Sequence, residues 1–113
     1  MSVDERARLQ HILAAIQRIE TYTKGGKKFF KKSTLIQDGT IRNIEIIGEA
    51  VRGLSDEFRT QHKHLPWGKL IGVRNALAHE YFGVDLEIVW GIVKRRLPGI
   101  KRDVTLILRN LLT

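Results

Sequence analysis

No cysteine occurs in this chain of 113 residues, so a disulfide framework and a thiolate zinc site are both excluded and a reducing compartment suits it. No apolar run approaches the roughly 18 residues a membrane span needs. The opening MSVDERARL lacks the apolar segment of a secretory signal. A cytoplasmic protein without membrane contact is expected. Patterns of several familiar chemistries are also missing. HEYFG, from His79, opens like the zinc motif H-E-x-x-H but has Gly83 where the second imidazole must stand, so two histidines cannot meet one metal there. Gly68 and Lys69 have neither the upstream glycine nor the following Ser or Thr of a phosphate loop, and no G-x-G-x-x-G occurs. No metal and no cofactor is expected.

Acidic residues are scarce as well. Twelve Asp and Glu stand against twenty Lys and Arg, a net charge of +8. The excess gathers at Lys24, Lys27, Lys28, Lys31 and Lys32, and again at Lys94, Arg95, Arg96, Lys101 and Arg102. Such patches suit nucleic acid, although charge alone serves equally to solubilise a surface. With 42% apolar and 28% charged residues the composition is that of an ordinary globular protein. The length fits one domain over residues 1–113.

The apolar residues recur at helical spacing. Leu9, Ile12, Leu13, Ile16 and Ile19 form one stripe of a first helix that ends by Gly25 and Gly26, before a basic loop, KGGKKFFKKS. Ile41, Ile44, Ile47, Val51 and Leu54 mark a second helix. SDEF opens a short third through its N-cap serine. Pro66 fits the first turn of a fourth, which carries Leu70, Val73 and Leu77 inward, bears Arg74 and His79 near its end, and stops at Gly83. Asp85 is the N-cap of a last segment with Leu86, Val89, Trp90, Val93 and Leu97 on its stripe. Pro98 and Gly99 are expected to kink or break it before Val104, Ile107, Leu108 and Leu111 resume the pattern. The fold class is therefore all-α, an up-and-down bundle of four to five helices.

Glu45 and Glu49 share a helical face, but Arg42 and Arg52 stand three residues away on either side, which favours ion pairs over a carboxylate metal site. His62 and His64, beside Pro66, read as solvated loop histidines, and His11 lies at a stripe edge. The stretch RNALAHEYFG, from Arg74 to Gly83, is the one with chemical content. At about 100° per residue, Arg74 and His79 point about 140° apart, whereas Asn75 and His79 share a face and Arg74 and Tyr81 nearly align. A site using Arg74 and His79 together forms best where two copies of the helix meet, in a two-fold dimer. The alternative is purely structural: Arg74 pairs with Glu49, His79 favours the helix C-terminus, and Tyr81 packs with its hydroxyl in water.

LPWGKLIGVRNALAHEYFGVDLEIVW, with RNIEIIGEAVRGLS upstream, resembles the HepT family of the HEPN superfamily, small helical toxins encoded beside a minimal nucleotidyltransferase antitoxin. The resemblance runs over nearly the whole chain. The family pattern of Arg, four residues, His, one residue, Tyr is matched by Arg74, His79 and Tyr81, with Asn75 in its usual place. It implies a HEPN bundle, a homodimer or higher even oligomer, and metal-independent endoribonuclease cleavage at the dimer cleft, leaving a 2′,3′-cyclic phosphate. It also implies a type VII-like toxin–antitoxin pair in which the partner places AMP on Tyr81. Glu80 departs from the family, standing where relatives often carry a small residue.

The residue types suit that chemistry. Cleavage by the RNA's own 2′-hydroxyl needs a base and an acid titrating near neutrality, the property of His79. A guanidinium, Arg74, matches the oxygens that gather charge in the transition state. Asn75 would support His79 or a phosphate oxygen, and Lys27, Lys28, Lys31 and Lys32 would track the RNA backbone. A non-catalytic HEPN module that binds a nucleotidyltransferase or nucleic acid is the alternative, and a structural helical dimer is a third reading.

Overall fold

A computed structural model describes residues 3–79 and 85–110, the side chains of Val3 and of residues 74–79 excepted. Every regular element among these residues is helical. The helices are α1 (Val3–Tyr22), α2 (Lys27–Lys32), α3 (Thr34–Arg52), α4 (Asp56–Gln61), α5 (Trp67–His79), α6 (Leu86–Gly91) and α7 (Leu97–Asn110), with a π-helical turn (Ile92–Arg96) joining the last two. Four long rods, α1, α3, α5 and the continuous α6–π–α7, make the bundle, and α2 and α4 are short connectors.

The stripes read from the sequence form the core. Leu9, Ile12, Ile16 and Ile19 of α1 are buried, as are Ile44, Ile47 and Val51 of α3, Leu70 of α5, and Val89, Leu97, Val104 and Ile107 of the last rod. Ile41, Val73, Leu86 and Leu108 are partly buried against them. Leu111 and Gly83 lie outside the described residues, as does the side chain of Leu77. α3 is central, lying along α1 on one side and α5 on the other, while α7 packs on α1. A part-buried polar bridge crosses the first contact: Arg18 Nε donates to Asn43 Oδ1 at 2.7 Å, and Asn43 Nδ2 donates to Gly39 O at 2.8 Å. Asn43, only 4% exposed, therefore has both ends of its amide satisfied.

The expected caps are in place. Ser55 Oγ accepts from Phe58 N at 3.0 Å to start α4, and Asp85 Oδ1 accepts from Glu87 N at 2.9 Å to start α6. Pro66 stands at the cap of α5, its carbonyl accepting from Leu70 N at 3.1 Å.

Two expectations are corrected. The stretch read as a basic loop contains α2. Its start needs Gly26, whose φ of 91° and ψ of 179° lie in a region open essentially to glycine alone. Phe30 then buries completely and packs on Trp90, with ring centroids 5.3 Å apart. Gln37 Nε2 donates to the carbonyls of Phe30 (2.9 Å) and Lys31 (3.1 Å) and so closes the end of α2. Pro98 and Gly99 do not break the last rod either. Proline has no N–H to donate and its ring crowds the carbonyl four residues back. The π-turn before it widens the helix, with Leu97 N–H reaching Ile92 O, five residues back, and the rod continues through Pro98.

Candidate functional site

The helix that carries the motif is set in place at its beginning. Trp67 is buried, and its Nε1–H donates to His62 O at 2.9 Å. Phe58 sits between them, with ring centroids 4.5 Å from His62 and 6.3 Å from Trp67. His62 lies in the loop between α4 and α5 as expected, but is half-buried there rather than solvated, whereas His64 is exposed. Its pKa is lowered, chiefly by burial and further by the charge of His64. From this corner α5 runs along α3 to His79, its last residue.

Arg74, Asn75 and His79 all lie on the backbone of α5. By ideal helix geometry Arg74 and His79 are about 7.5 Å apart along the axis and about 140° apart around it, and Asn75 and His79 are about 40° apart. The side chains of these three residues, and Glu80 and Tyr81 entirely, lie outside the described residues.

The lysines expected to track RNA do not act alike. Lys27 and Lys31 both pair with Glu87 of α6, the Lys27 Nζ at 2.7 Å from its carboxylate. These contacts bind α2 to the start of the last rod. Hydrogen bonds from Lys27 and then Lys31 hold the Glu87 pKa down to about 2. Lys28 and Lys32 are exposed and make no ion pair among the described residues. In the second basic patch, Lys101 Nζ lies 2.9 Å from Glu20, Arg102 Nε lies 3.6 Å from Asp103, and Lys94 lies over the Trp90 ring at 5.3 Å.

Arg95 and Arg96 remain, and with Lys69 of α5 they surround a groove of 540 Å³ between α5 and the last rod. Leu70, Val73, Ile92 and Ile100 contribute aliphatic surface to it. The Arg95 guanidinium lies over Gly91, where a Cβ would come within 2.5 Å of its Nη2. Sequence reading did not join Lys69 to Arg95 and Arg96, because no local pattern shows that the π-turn faces α5. On α3 the expected pairing of Arg42 with Glu45 is present at 3.5 Å. No cluster of three or more His, Cys, Asp or Glu among the described residues is arranged to hold a metal ion, and no helix among them is long and apolar enough to cross a membrane.

Comparison with known proteins identifies the class. Residues 12–107 match the family described as Ribonuclease HepT-like. A gamma-glutamylcyclotransferase and candidate RNase of Methanocaldococcus jannaschii is 42% identical over 98% of this chain, which spans 50% of that longer protein. A candidate RNase of Caldanaerobacter subterraneus is 37% identical over 93% of this chain and 95% of its own length. A protein named as a probable ribonuclease HepT, from Thermococcus cleftensis, is 36% identical over 82% of this chain and 86% of its own. No solved structure matches. The chain belongs to the HepT-like family of HEPN proteins.

The ion pairs at Glu87 have a pH signature. Because its folded pKa is depressed from 4.5 to about 2, its contribution to stability is present above pH 4.5 and is lost as pH falls through about 2. Chemical denaturation of the parent and of Glu87→Gln between those limits should show a steeper acid loss in the parent. Equal slopes would mean that the two lysines do not hold the carboxylate in solution.

Proposed function

We propose that this chain is the toxin of a type VII-like toxin–antitoxin pair, a metal-independent endoribonuclease acting at the cleft of a homodimer and neutralised by AMP transfer to Tyr81. The observation that carries this reading is the Arg74, His79 and Tyr81 pattern, which falls inside the region matched by the ribonuclease family. The placement of Arg74, Asn75 and His79 on the last turns of one helix supports it, as does the net charge of +8. The names of the relatives support the ribonuclease part.

The 2′-hydroxyl gives its proton to one His79 imidazole while its oxygen attacks the adjacent phosphorus. The bond from phosphorus to the 5′-oxygen breaks, and that oxygen takes a proton from the imidazolium so formed. A 2′,3′-cyclic phosphate and a free 5′-hydroxyl result. Arg74 neutralises the non-bridging oxygens with a planar, permanently charged fork. Asn75, on the face of His79, orients the ring or binds a phosphate oxygen. An AMP group on Tyr81 adds about one negative charge, which competes with the RNA phosphate for Arg74.

Purified protein should cut RNA in EDTA and leave a cyclic phosphate, with His79→Ala slower by about 10² to 10⁴ and Arg74→Lys also failing. Cleavage by His79→Ala at the parental rate would exclude this mechanism. RNA binding with no cleavage by the parent would make the chain a non-catalytic HEPN module.

With a nucleotidyltransferase partner and Mg-ATP, mass spectrometry should find one added AMP on the Tyr81 peptide and ribonuclease activity should fall with its occupancy. Full activity at complete Tyr81 modification would defeat this part of the reading.

A further inference from the structure

The groove beside α5 holds charge that the fold does not use. Lys69, Arg95 and Arg96 line it, and among the described residues none of them makes an ion pair. Their neighbours in sequence are engaged: Lys94 lies over Trp90, Lys101 binds Glu20 and Arg102 approaches Asp103. No acidic residue among the described residues lines the groove. Three uncompensated cations around one trough call for an anionic occupant. A second copy of this chain seated there by a two-fold axis would bring its own basic rim against this one.

The interior of the groove is aliphatic, and Ile88 at its edge is 63% exposed although it is a large apolar residue. An occupant must therefore present both phosphates and flat apolar faces. A single RNA strand does so, whereas a duplex hides its base faces in the stack. Position along α5 favours the same occupant. Val73 lines the groove and Arg74 is the next residue. Lys69 precedes Arg74 by five residues, about 7.5 Å along the axis and about 140° around it, so the occupant of the groove comes within reach of Arg74 by passing around α5, as an extended single strand can.

We propose that single-stranded RNA reaches the motif along this groove, with Lys69, Arg95 and Arg96 holding its phosphates and the aliphatic surface at Val73, Ile88 and Ile92 taking its bases. This rests on the ribonuclease reading for its substrate. It moves the main phosphate track from α2, where Lys27 and Lys31 are occupied by Glu87, to the seam between α5 and the π-turn. The three cations are binding and positioning residues. They do not touch the bond that breaks.

The test uses the full chain and a short fluorescent RNA methylated at every 2′-oxygen, which binds but lacks the attacking hydroxyl. Replacing Lys69, Arg95 and Arg96 together by Gln should raise Kd about 10- to 100-fold and reduce the slope of log K against log salt by about 2. Ile88→Glu, at an exposed position, should weaken binding too, and circular dichroism should show parental helix content for both. With cleavable RNA, the triple variant should show a raised KM with little loss of kcat. The control is Lys28→Gln with Lys32→Gln, which should cost less than the groove variant. Parental affinity in the triple variant would overturn the track while leaving a parental ribonuclease intact. So would a larger loss in the α2 control. A triple variant that binds RNA normally but no longer associates with a nucleotidyltransferase partner would make the groove a protein surface and also overturn it. Groove-dependent binding by a parent that never cleaves would uphold the track and overturn the ribonuclease reading instead.

Discussion

The position of α5 depends on α3 being buried from two sides at once. Ile44, Ile47 and Val51 give α3 an apolar stripe wide enough to be shared by α1 and α5, and each is nearly inaccessible to water. Truncating either isoleucine to Ala would cost about 2–5 kcal/mol, a large fraction of what holds a domain of this size together. The bridge from exposed Arg18 to buried Asn43 adds little net energy. It does set the register of α1 against α3, because a slip would leave a buried amide unpaired. With α3 fixed, the corner of Phe58, His62 and Trp67 fixes where α5 begins. The motif three turns later inherits that position.

Much of this was legible in the chain because helices announce themselves locally. Apolar spacing located all four rods, and Ser55, Pro66 and Asp85 marked three starts. What was not legible required distant partners. α2 has only Phe29 and Phe30 as apolar residues, and Phe30 is meaningful only once Trp90 is beside it. The π-turn is a response to Pro98 that keeps a rod whole, whereas proline read alone signals a stop. In the site, the local pattern of Arg74, Asn75 and His79 on one helix was readable. The division of the basic residues was not: Glu87 engages Lys27 and Lys31 from another element, and Lys69 meets Arg95 and Arg96 only through the packing of α5 on the last rod.

The structure thus uses its positive charge in two ways. Some cations are structural, tying α2 to α6, α7 to α1, and the π-turn to an aromatic ring. Others have no acidic partner among the described residues, and these line the groove between the helix that carries the motif, which bears Lys69, and the π-turn, which bears Arg95 and Arg96. Exposed ion pairs contribute little to stability, so the tethers matter for where elements sit more than for how firmly the protein folds. The unpartnered cations cost nothing in burial and remain available to a polyanion.

A helix that points Arg74 and His79 about 140° apart serves one phosphate most readily with an arginine from one copy and a histidine from the other. The direct measurement is complementation. Protomers carrying Arg74→Ala and protomers carrying His79→Ala, each inactive alone, are refolded together with different tags and the mixed species is isolated. One composite site is then intact, and RNA cleavage should return to about half the parental rate per dimer if the two sites act independently. A mixed species as inactive as its parents would contradict a site assembled from two copies of α5.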